Sequence, residues 1–570
     1  MSSLSVVDYI LFALMLCVSG AIGIYHAIRS KNQGSKDYFL IENQNISSIP
    51  IAISLLVSFL SAISILGIPS EVYTYGLSYI LVAIAFIFVI LISAFLYVPV
   101  FYKMKIISTN EYLERRFTYG IRLMGSILFI MTYTMYLSIA LFAPAIAMDA
   151  VSDLPIIVSV VVTGLICIFY TSLGGFRAVV WADVFQGVII VGGMITILIM
   201  GILEVDGLSN VWRINKEMKR LNIFDFNPDP TVRSSFWAMI VGGTFTYIFS
   251  WSVSQLSVQR FLASKSLRNA KKAMLFSMIA LVLFTILCCL NGLVIFAVYH
   301  DCDLSRSKKI TRNDQILPYF VVDKLGHLKG LPGLFIAALF SGALSTLSSG
   351  INSVSAIVLE DIVKKFLNNI SDARATCVSR IVGIVYGLLI MLGAIGFNYA
   401  KVPLLIQLSA TLFNISAGPL LGLFTLGMIS KKANWKGAYI GTGLAFSLLG
   451  WIYIGSLSYS PIINKPPTSI EGCETFNETR MINKTIASFK NDTVPQRGGL
   501  EKFYSLSFFY YGGVGMLVTV VIGYIFSIIL GRSEDEQVDE ELLFDFSGPC
   551  HSKRSKRPNN NNIFTKTTTL

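Results

Sequence analysis

The chain has 570 residues, of which 54% are hydrophobic and 14% are charged. This balance is too apolar for a water-soluble protein of this length and indicates a polytopic membrane protein surrounded by lipid. The formal charge of +12 comes from Lys and Arg scattered over short loops, which argues against nucleic-acid binding. The four histidines fall in predicted loops or at a helix end, which argues against a haem-bearing or metal-dependent membrane enzyme.

Apolar runs of about 20 residues predict about thirteen membrane-spanning helices. In chain order they lie at 6–28, 50–76, 79–101, 122–149, 155–173, 181–203, 236–257, 273–299, 330–358, 379–397, 403–429, 435–457 and 505–530. The first run lacks a basic leader and a small-residue cleavage site. We therefore interpret it as a retained helix rather than a signal peptide.

Polar residues, glycine and proline interrupt the second predicted helix. Ser61 and Ser64 approach its middle, and Gly67 and Pro69 follow. We expect the helical hydrogen bonding to open there and to free carbonyl oxygens. The seventh predicted helix has a similar character. Two interrupted helices at matching positions of two halves indicate an inverted-repeat transporter with its site at the midplane, although Gly and Pro are also common in ordinary membrane helices.

The ninth predicted helix is apolar enough to cross a bilayer but carries many hydroxyls. At helical spacing, one face about 80° wide holds several of its polar residues, namely Ser341, Ser345, Ser348, Asn352 and Ser355. Ser345 and Thr346 lie near midspan, at the depth of the interruption in the second helix. About five uncharged oxygens from the two helices would replace the hydration shell of Na⁺. The alternative is that these hydroxyls are packing contacts between helices.

Sequons and charges predict the topology. Three acceptor sequons, at Asn477, Asn483 and Asn491, mark 458–504 as a glycosylated extracellular loop. With an odd helix count, the N-terminus then lies outside and the C-terminus in the cytoplasm. Lys and Arg concentrate in the short loops that this arrangement makes cytoplasmic, as the positive-inside rule expects.

Two features concern the extracellular segments and the tail. Cys302 and Cys473 both fall in predicted extracellular segments, where a disulfide between them is a candidate. The tail, 531–570, is acidic, then basic, then rich in asparagine, so we expect it to be disordered. Its last residues, Thr568 and Leu570, fit the groove of a PDZ domain, which makes a PDZ scaffold a candidate partner.

Five segments resemble the sodium/solute symporter family, within it the branch of sodium-coupled monocarboxylate, multivitamin and iodide transporters. They are SFLSAISILGIPSEVYTYGL (58–77), PVFYKMKIISTNEYLERRF (99–117), YTSLGGFRAVVWADVFQG (170–187), SGALSTLSSGIN (341–352) and SAGPLLGLFTLGM (416–428). The resemblance implies an all-α, LeuT-type fold. Its two inverted five-helix repeats would be 50–203 and 236–429, joined by an extracellular loop at 204–235. Peripheral helices would occupy 1–49 and 430–530.

The resemblance also implies site residues. Sodium would be held by the carbonyls of Ser61, Ser64 and Gly342 and by the hydroxyls of Ser345 and Thr346. Na⁺ would be the coupling ion, with no other metal and no organic cofactor.

Two further assignments follow from the resemblance. Asp183 matches an aspartate associated with sodium leaving toward the cytoplasm, and the alternative is an interfacial pair with Arg177. The substrate cavity would include Ile68, Phe86, Phe142, Tyr247, Trp251 and Ile406, with helix packing as the alternative role. Phe86 and Phe142 replace a glutamine and a tyrosine of the iodide transporter pattern. This departure predicts a more apolar cavity and argues against iodide.

Together these features predict a sodium-coupled symporter of the plasma membrane that imports a small organic anion, either a monocarboxylate or a carboxylate vitamin, by alternating access. The alternatives are iodide, a neutral solute such as a sugar or inositol, and a non-transporting solute sensor. An enzyme is disfavoured because no catalytic His, Cys or paired carboxylates are evident. No arginine is evident deep in the membrane, so we expect helix N-terminal dipoles and hydroxyls to hold the anion.

Overall fold

The computed structural model describes residues 4–30, 47–152, 154–367, 370–399, 404–459, 465–473, 498–531 and 538–544. Within these residues it does not describe the side chains of 26–30 and 173–177. The described residues form helices and connecting loops, with no β-strand among them. The predicted all-α architecture is therefore confirmed.

The helices pack against one another around a few buried central ones. In chain order they are α1 (Val6–Ser30), α2 (Ser48–Phe59), α3 (Ala62–Tyr75), α4 (Val82–Ile92), α5 (Val98–Met104), α6 (Glu111–Arg116), α7 (Tyr119–Val151), α8 (Ile156–Leu203), α9 (Leu208–Glu217), α10 (Gly243–Ser252), α11 (Gln255–Leu262), α12 (Leu267–Val298), α13 (Ile316–Asp323), α14 (Leu331–Ile357), α15 (Lys364–Phe366), α16 (Asp372–Tyr399), α17 (Leu405–Ile429), α18 (Trp435–Ser456), α19 (Leu500–Tyr504) and α20 (Tyr511–Ile529). Short 3₁₀ or π-helical segments lie at Leu77–Leu81, Ser93–Tyr97, Ala238–Gly242, Asn313–Gln315, Val358–Val363, Phe508–Tyr510 and Glu540–Leu542.

The number of membrane spans is close to the predicted one. Among the described residues, ten helices are long and apolar enough to cross a membrane, or eleven if the bent pair α2 and α3 counts as one span. The helices predicted at 155–173 and 181–203 fall within the single element α8. The full count of thirteen stays a prediction, as does the division into two repeats.

The second span is interrupted, but earlier than expected. Its two halves, α2 and α3, meet at 59°. The break is at Leu60 and Ser61, whereas Gly67 and Pro69 lie inside α3. A contact from another helix lies at the break. The hydroxyl of Thr346 donates to the carbonyl of Ser58 at 3.1 Å, the oxygen that would otherwise accept from the N–H four residues later.

The seventh span is also interrupted. Helix α10 ends at Ser252, and α11 begins at Gln255. The hydroxyl of Ser254 accepts from the N–H of Leu256 at 3.3 Å and so caps the second half. The span continues to Leu262, beyond the predicted end at 257. The second and seventh spans thus share the interruption that the sequence predicts.

Helix α14 is the most enclosed of the long helices. Nearly all its side chains are buried, and it packs against α1, α7, α8 and α16. A helix enclosed by protein can carry hydroxyls because neighbouring helices supply hydrogen-bond partners that lipid lacks. Several hydroxyls of the predicted polar face nevertheless bond within α14 itself. Ser348 donates to the carbonyl of Ser345, and Ser355 donates to that of Ile351.

Part of the tail is ordered, which corrects the prediction of disorder over all of 531–570. The N–H of Phe544 donates to the carbonyl of Met428 at 2.9 Å, and the hydroxyl of Tyr112 donates to that of Leu542 at 3.1 Å. The Phe544 ring lies edge-on to Tyr97. Composition misled here because two buried apolar side chains lie among acidic ones. Thr568 and Leu570 lie outside the described residues.

Candidate functional site

The interruption of the second span lies directly against α14. A Cβ atom added to Gly342 would be 2.9 Å from the carbonyl oxygen of Leu60 and 3.2 Å from the nitrogen of Ala62. Only glycine therefore permits this approach of the two backbones. Together with the hydrogen bond from Thr346 to Ser58, this contact brings carbonyl and hydroxyl oxygens of the two spans together.

The carbonyl of Ser61, a predicted sodium ligand, is hydrogen-bonded within α3, and the carbonyl of Leu60 lies next to Gly342 in its place. The carbonyl of Ser61 accepts from the N–H groups of Ser64 and Ile65 at 3.0 and 3.2 Å, because Ser61 is the N-cap of α3. The carbonyl that faces Gly342 is that of Leu60. Ser61 and Ser64 line the neighbouring cavity instead.

Asp183 lies in the buried centre and contacts a predicted sodium ligand directly. Its carboxylate is fully buried, and the hydroxyl of Ser345 donates to Oδ1 at 2.5 Å. The hydroxyl of Ser54 donates to Oδ2 at 2.5 Å. A buried carboxylate therefore lies directly beside the predicted uncharged ligands. Because Ser345 gives its only proton to Asp183, its lone pairs remain free to face a cation.

Arg260, on α11, is the partner of Asp183, with Nη2 3.2 Å from Oδ2. The guanidinium is buried and donates to the hydroxyls of Ser54, Ser58 and Ser349 at 2.9, 2.6 and 2.6 Å. Arg260 is thus a buried arginine next to a predicted sodium-site residue. Arg260 escaped notice because it follows the predicted end of the seventh span by a few residues.

The alternative partner of Asp183 was Arg177, whose side chain lies outside the described residues. The buried pair with Arg260 shows that Asp183 is part of the protein interior rather than an interfacial carboxylate. Its contact with Ser345 ties the pair to the region where α2, α3 and α14 meet.

A cavity of about 80 Å³ adjoins the interruption of the second span. Five of the six predicted cavity residues line it, namely Ile68, Phe86, Tyr247, Trp251 and Ile406. Since about 10–15 Å³ by this measure holds one water, the space suits a ligand of a few heavy atoms.

Phe142 does not line this cavity, which corrects its assignment. Its ring is fully buried, 6.5 Å from that of Phe397 and 5.3 Å from the guanidinium of Arg312. Tyr136, on the same helix, does line the cavity. Six residues turn an α-helix by about 240°, so Phe142 faces another direction.

Hydroxyls supply most of the polar surface of the cavity. The hydroxyls of Tyr79 and Tyr247 are 3.0 Å apart, and that of Tyr136 donates to Ser61 Oγ at 3.3 Å. Sequence reasoning missed several polar lining residues, namely Tyr79, Tyr133, Tyr136, Ser250, Ser409 and Asn414. Tyrosines at helical spacing are hard to distinguish from packing residues without a structure.

The N-terminus of α3 also faces the cavity. Ser61 and Ile63 line it, and the Ser61 side chain does not cap the helix. The first N–H groups of a helix lack partners within the helix and carry a partial positive charge. No Asp, Glu, Lys or Arg is among the described residues that line the cavity. An anion there would be held by N–H groups and hydroxyls.

Interrupted spans that bring backbone carbonyls and hydroxyls together beside a small cavity define a secondary active transporter of the LeuT type. A family model described as the sodium:solute symporter family matches residues 38–444. The chain therefore belongs to the sodium:solute symporter family, as its motifs predict. The members of this family are transporters rather than enzymes.

Relatives extend over most of the chain. It is 38% identical over 536 residues to sodium-coupled monocarboxylate transporter 1 of Homo sapiens, covering 92% of this chain and 87% of the relative. It is 35% identical over 535 residues to the sodium-dependent multivitamin transporter of Oryctolagus cuniculus, covering 93% and 83%. A solved Na⁺-coupled sialic acid symporter, outward-open and substrate-bound, matches with a TM-score of 0.74 and 24% identity, covering 93% of this chain and 99% of that one. This likeness confirms the fold.

Proposed function

We propose that this protein is a sodium-coupled symporter that imports a small monocarboxylate across the plasma membrane. The observation that carries the proposal is the cavity beside the oxygen-rich contact between the second span and α14, whose described lining residues include hydroxyls but no Asp, Glu, Lys or Arg. The N–H groups at the start of α3 and the tyrosine hydroxyls suit a carboxylate. The small volume favours a few-carbon acid over a sugar or inositol.

Sodium would bind where the second span meets α14. We assign the carbonyls of Leu60 and Gly342 and the hydroxyls of Ser345 and Thr346 as its ligands. The assignment is supported by the closeness of Leu60 to Gly342 and by the orientation of the Ser345 proton toward Asp183. An ion held by both spans would favour the arrangement in which they touch, and this preference would couple sodium to the substrate cavity.

Asp183 would assist the release of sodium toward the cytoplasm. The support is its hydrogen bond to Ser345, which gives a departing cation a carboxylate next to its ligand. Arg260 would limit how tightly that carboxylate retains the ion, because it already compensates the charge.

Uptake of labelled lactate, nicotinate, biotin, glucose and iodide, with and without sodium, tests the proposal in expressing cells. We expect sodium-dependent uptake of lactate or nicotinate and none of glucose. Uptake of glucose or iodide alone would contradict the assigned substrate class. Ligand-dependent signalling without any uptake would favour a sensor.

Removing Ser345 and Thr346 hydroxyls together, by Ser345→Ala with Thr346→Ala, tests the ion site. We expect the sodium concentration for half-maximal uptake to rise at least about tenfold, which is about 1.4 kcal/mol. Ser355→Ala is the matched control, because that hydroxyl bonds within α14 at 2.7 Å. An unchanged sodium dependence in the double variant would remove these ligands from the site.

The proposed orientation has the N-terminus outside and the C-terminus in the cytoplasm. Its support is the disulfide between Cys302 and Cys473, which suits an oxidising compartment. The segment that carries Asn477, Asn483 and Asn491 lies outside the described residues. Replacing the three by Gln should remove the gel shift caused by glycosidase treatment of the wild type. A persisting shift would contradict the glycosylation sites.

A PDZ-domain scaffold is the proposed partner of the C-terminus. Its support is the sequence of the last residues, in which Thr568 and Leu570 suit the two anchor positions of a PDZ groove. Capture of the full-length protein by a panel of PDZ domains should be lost on deletion of Leu570. Equal capture without Leu570 would contradict this partner.

A further inference from the structure

A second cavity, here called the outer pocket, has a volume of about 660 Å³. It lies between the end of α3, the segment that follows α9 and the residues just after 464, on the side that we propose to be extracellular. Four basic residues line it, namely Lys219, Arg220, Arg233 and Lys465. Asp225 is the one acidic residue among its described lining. The pocket is therefore strongly cationic.

Most of this positive charge is not paired. Of the four basic residues, only Arg233 forms a salt bridge with a described residue, namely Glu71 at 2.6 Å. Arg220 is buried and donates to the carbonyls of Tyr73 and Pro467. Burial lowers the pKa of Arg220 to about 10, so it remains charged at neutral pH. Its hydrogen-bond acceptors are neutral carbonyl oxygens, and Asp303 is the carboxylate that offsets part of its charge from nearby.

The outer pocket adjoins the substrate cavity across a short turn. Ser78 lines the outer pocket, and Tyr79, the next residue, lines the cavity. The N–H of Leu77 donates to the carbonyl of Arg220 at 2.9 Å, which fastens the basic segment to this turn. A ligand held in the pocket would therefore lie next to the path into the cavity.

Arg233 connects the two spaces more directly. Besides Glu71 on α3, it donates to Gln407 on α17 at 2.6 Å. Gln407 follows Ile406, which lines the cavity. The guanidinium is also 4.4 Å from the ring of Tyr75, a residue of the outer pocket. One arginine of the outer pocket is thus bonded to two helices, α3 and α17, that also supply residues of the cavity lining.

The disulfide fixes the remaining wall. Cys302 and Cys473 are bonded, and the N–H of Gly472 donates to the carbonyl of Asp301 at 3.0 Å. The segment that begins with Lys465 is thereby held against the loop after α12. Lys465 lies 5.8 Å from the ring of Tyr75. The cationic lining is consequently part of the folded structure rather than a loose chain.

We propose that the outer pocket is a collecting site that binds the carboxylate of the substrate before it enters the cavity. This inference rests on the proposed function, since it assumes a carboxylate substrate. Among the described residues that line the cavity none is Asp, Glu, Lys or Arg, so basic residues outside the cavity would supply the long-range attraction of the anion. A cationic cleft raises the local concentration and the association rate of an anion by about tenfold or more.

Uptake measured at saturating sodium tests the site. Lys219→Gln with Lys465→Gln should raise the half-saturating substrate concentration at least about threefold, and the corresponding Glu pair at least about tenfold. The maximal rate per transporter at the surface and the sodium dependence should not change. Raising ionic strength should weaken apparent affinity in the wild type and much less in the Gln pair.

Lys309→Gln is the matched control, because it removes an exposed positive charge from the same proposed side outside the pocket. Surface biotinylation corrects for expression. If uptake is intact and the half-saturating substrate concentration is the same in the wild type, the Gln pair and the control, the collecting site is refuted. The proposed function would not be affected by that result. Absence of carboxylate uptake by the wild type would overturn the proposed function and this inference with it.

Discussion

Replacing Asp183 by Asn would leave a buried positive charge without compensation. In the wild type, Arg260 donates to Ser58 and Ser349 at 2.6 Å but lies 3.2 Å from Asp183. The carboxylate therefore contributes mainly charge, while the serines supply the closer hydrogen bonds. Breaking a buried ion pair from one side costs about 3–5 kcal/mol. We expect Asp183→Asn to lower stability by that order.

The double variant, Asp183→Asn with Arg260→Gln, separates charge from packing. Because both charges are removed, the double variant should lose less free energy of unfolding than the two single variants lose together, by about 2–3 kcal/mol. The midpoints of thermal unfolding are measured for the wild type, Asp183→Asn, Arg260→Gln and the double variant. Each detergent-solubilised protein is heated, and its folded fraction is followed by size-exclusion chromatography. Glu111→Gln is the control, because the Arg115–Glu111 pair is exposed and worth at most about 1 kcal/mol. Additive losses, or no loss in Asp183→Asn, would refute the reasoning.

Three further variants test other parts of the structure. Burial raises the pKa of Asp314 to about 7, so the contribution of Asp314 to stability should fall as pH rises from about 4 to 7. In thermal unfolding, the stability of Asp314→Asn relative to the wild type should therefore increase over this pH range; a constant difference would contradict this. Leu542→Ala should speed proteolysis of the tail, whereas Leu543→Ala, at a half-buried position, should not; equal rates argue against the docked tail. Gly342→Ala should weaken stabilisation by sodium, whereas Gly443→Ala, with open space around it, should not; equal sodium shifts would contradict the close contact.

The architecture was largely predictable because its causes are local. Spans follow from the length of apolar runs, and the interruption of two spans follows from polar and flexible residues near their centres. The position of the break in the second span was not local. At the break, the hydroxyl of Thr346 is hydrogen-bonded to the carbonyl of Ser58, 288 residues earlier in the chain. Gly67 and Pro69 were the more visible features, yet α3 accommodates both.

Contacts between distant segments account for most of what the sequence did not predict at the site. Helical spacing places Ser345 on a polar face, but it cannot identify Asp183, 162 residues earlier, as the group that receives its proton. Arg260 lies just beyond the predicted end of the seventh span, at 257, and was not among the predicted site residues. Phe142 was assigned to the cavity from its position in the sequence. That position identified the correct helix but not the direction in which the side chain points.

The docked end of the tail limits how far the C-terminus can travel. Phe544 is hydrogen-bonded to Met428, near the end of α17, and 26 residues separate it from Leu570. Even fully extended, that length of chain reaches only about 90 Å. A protein bound at Leu570 would therefore stay within that distance of α17, the helix whose opposite end carries the cavity residue Ile406.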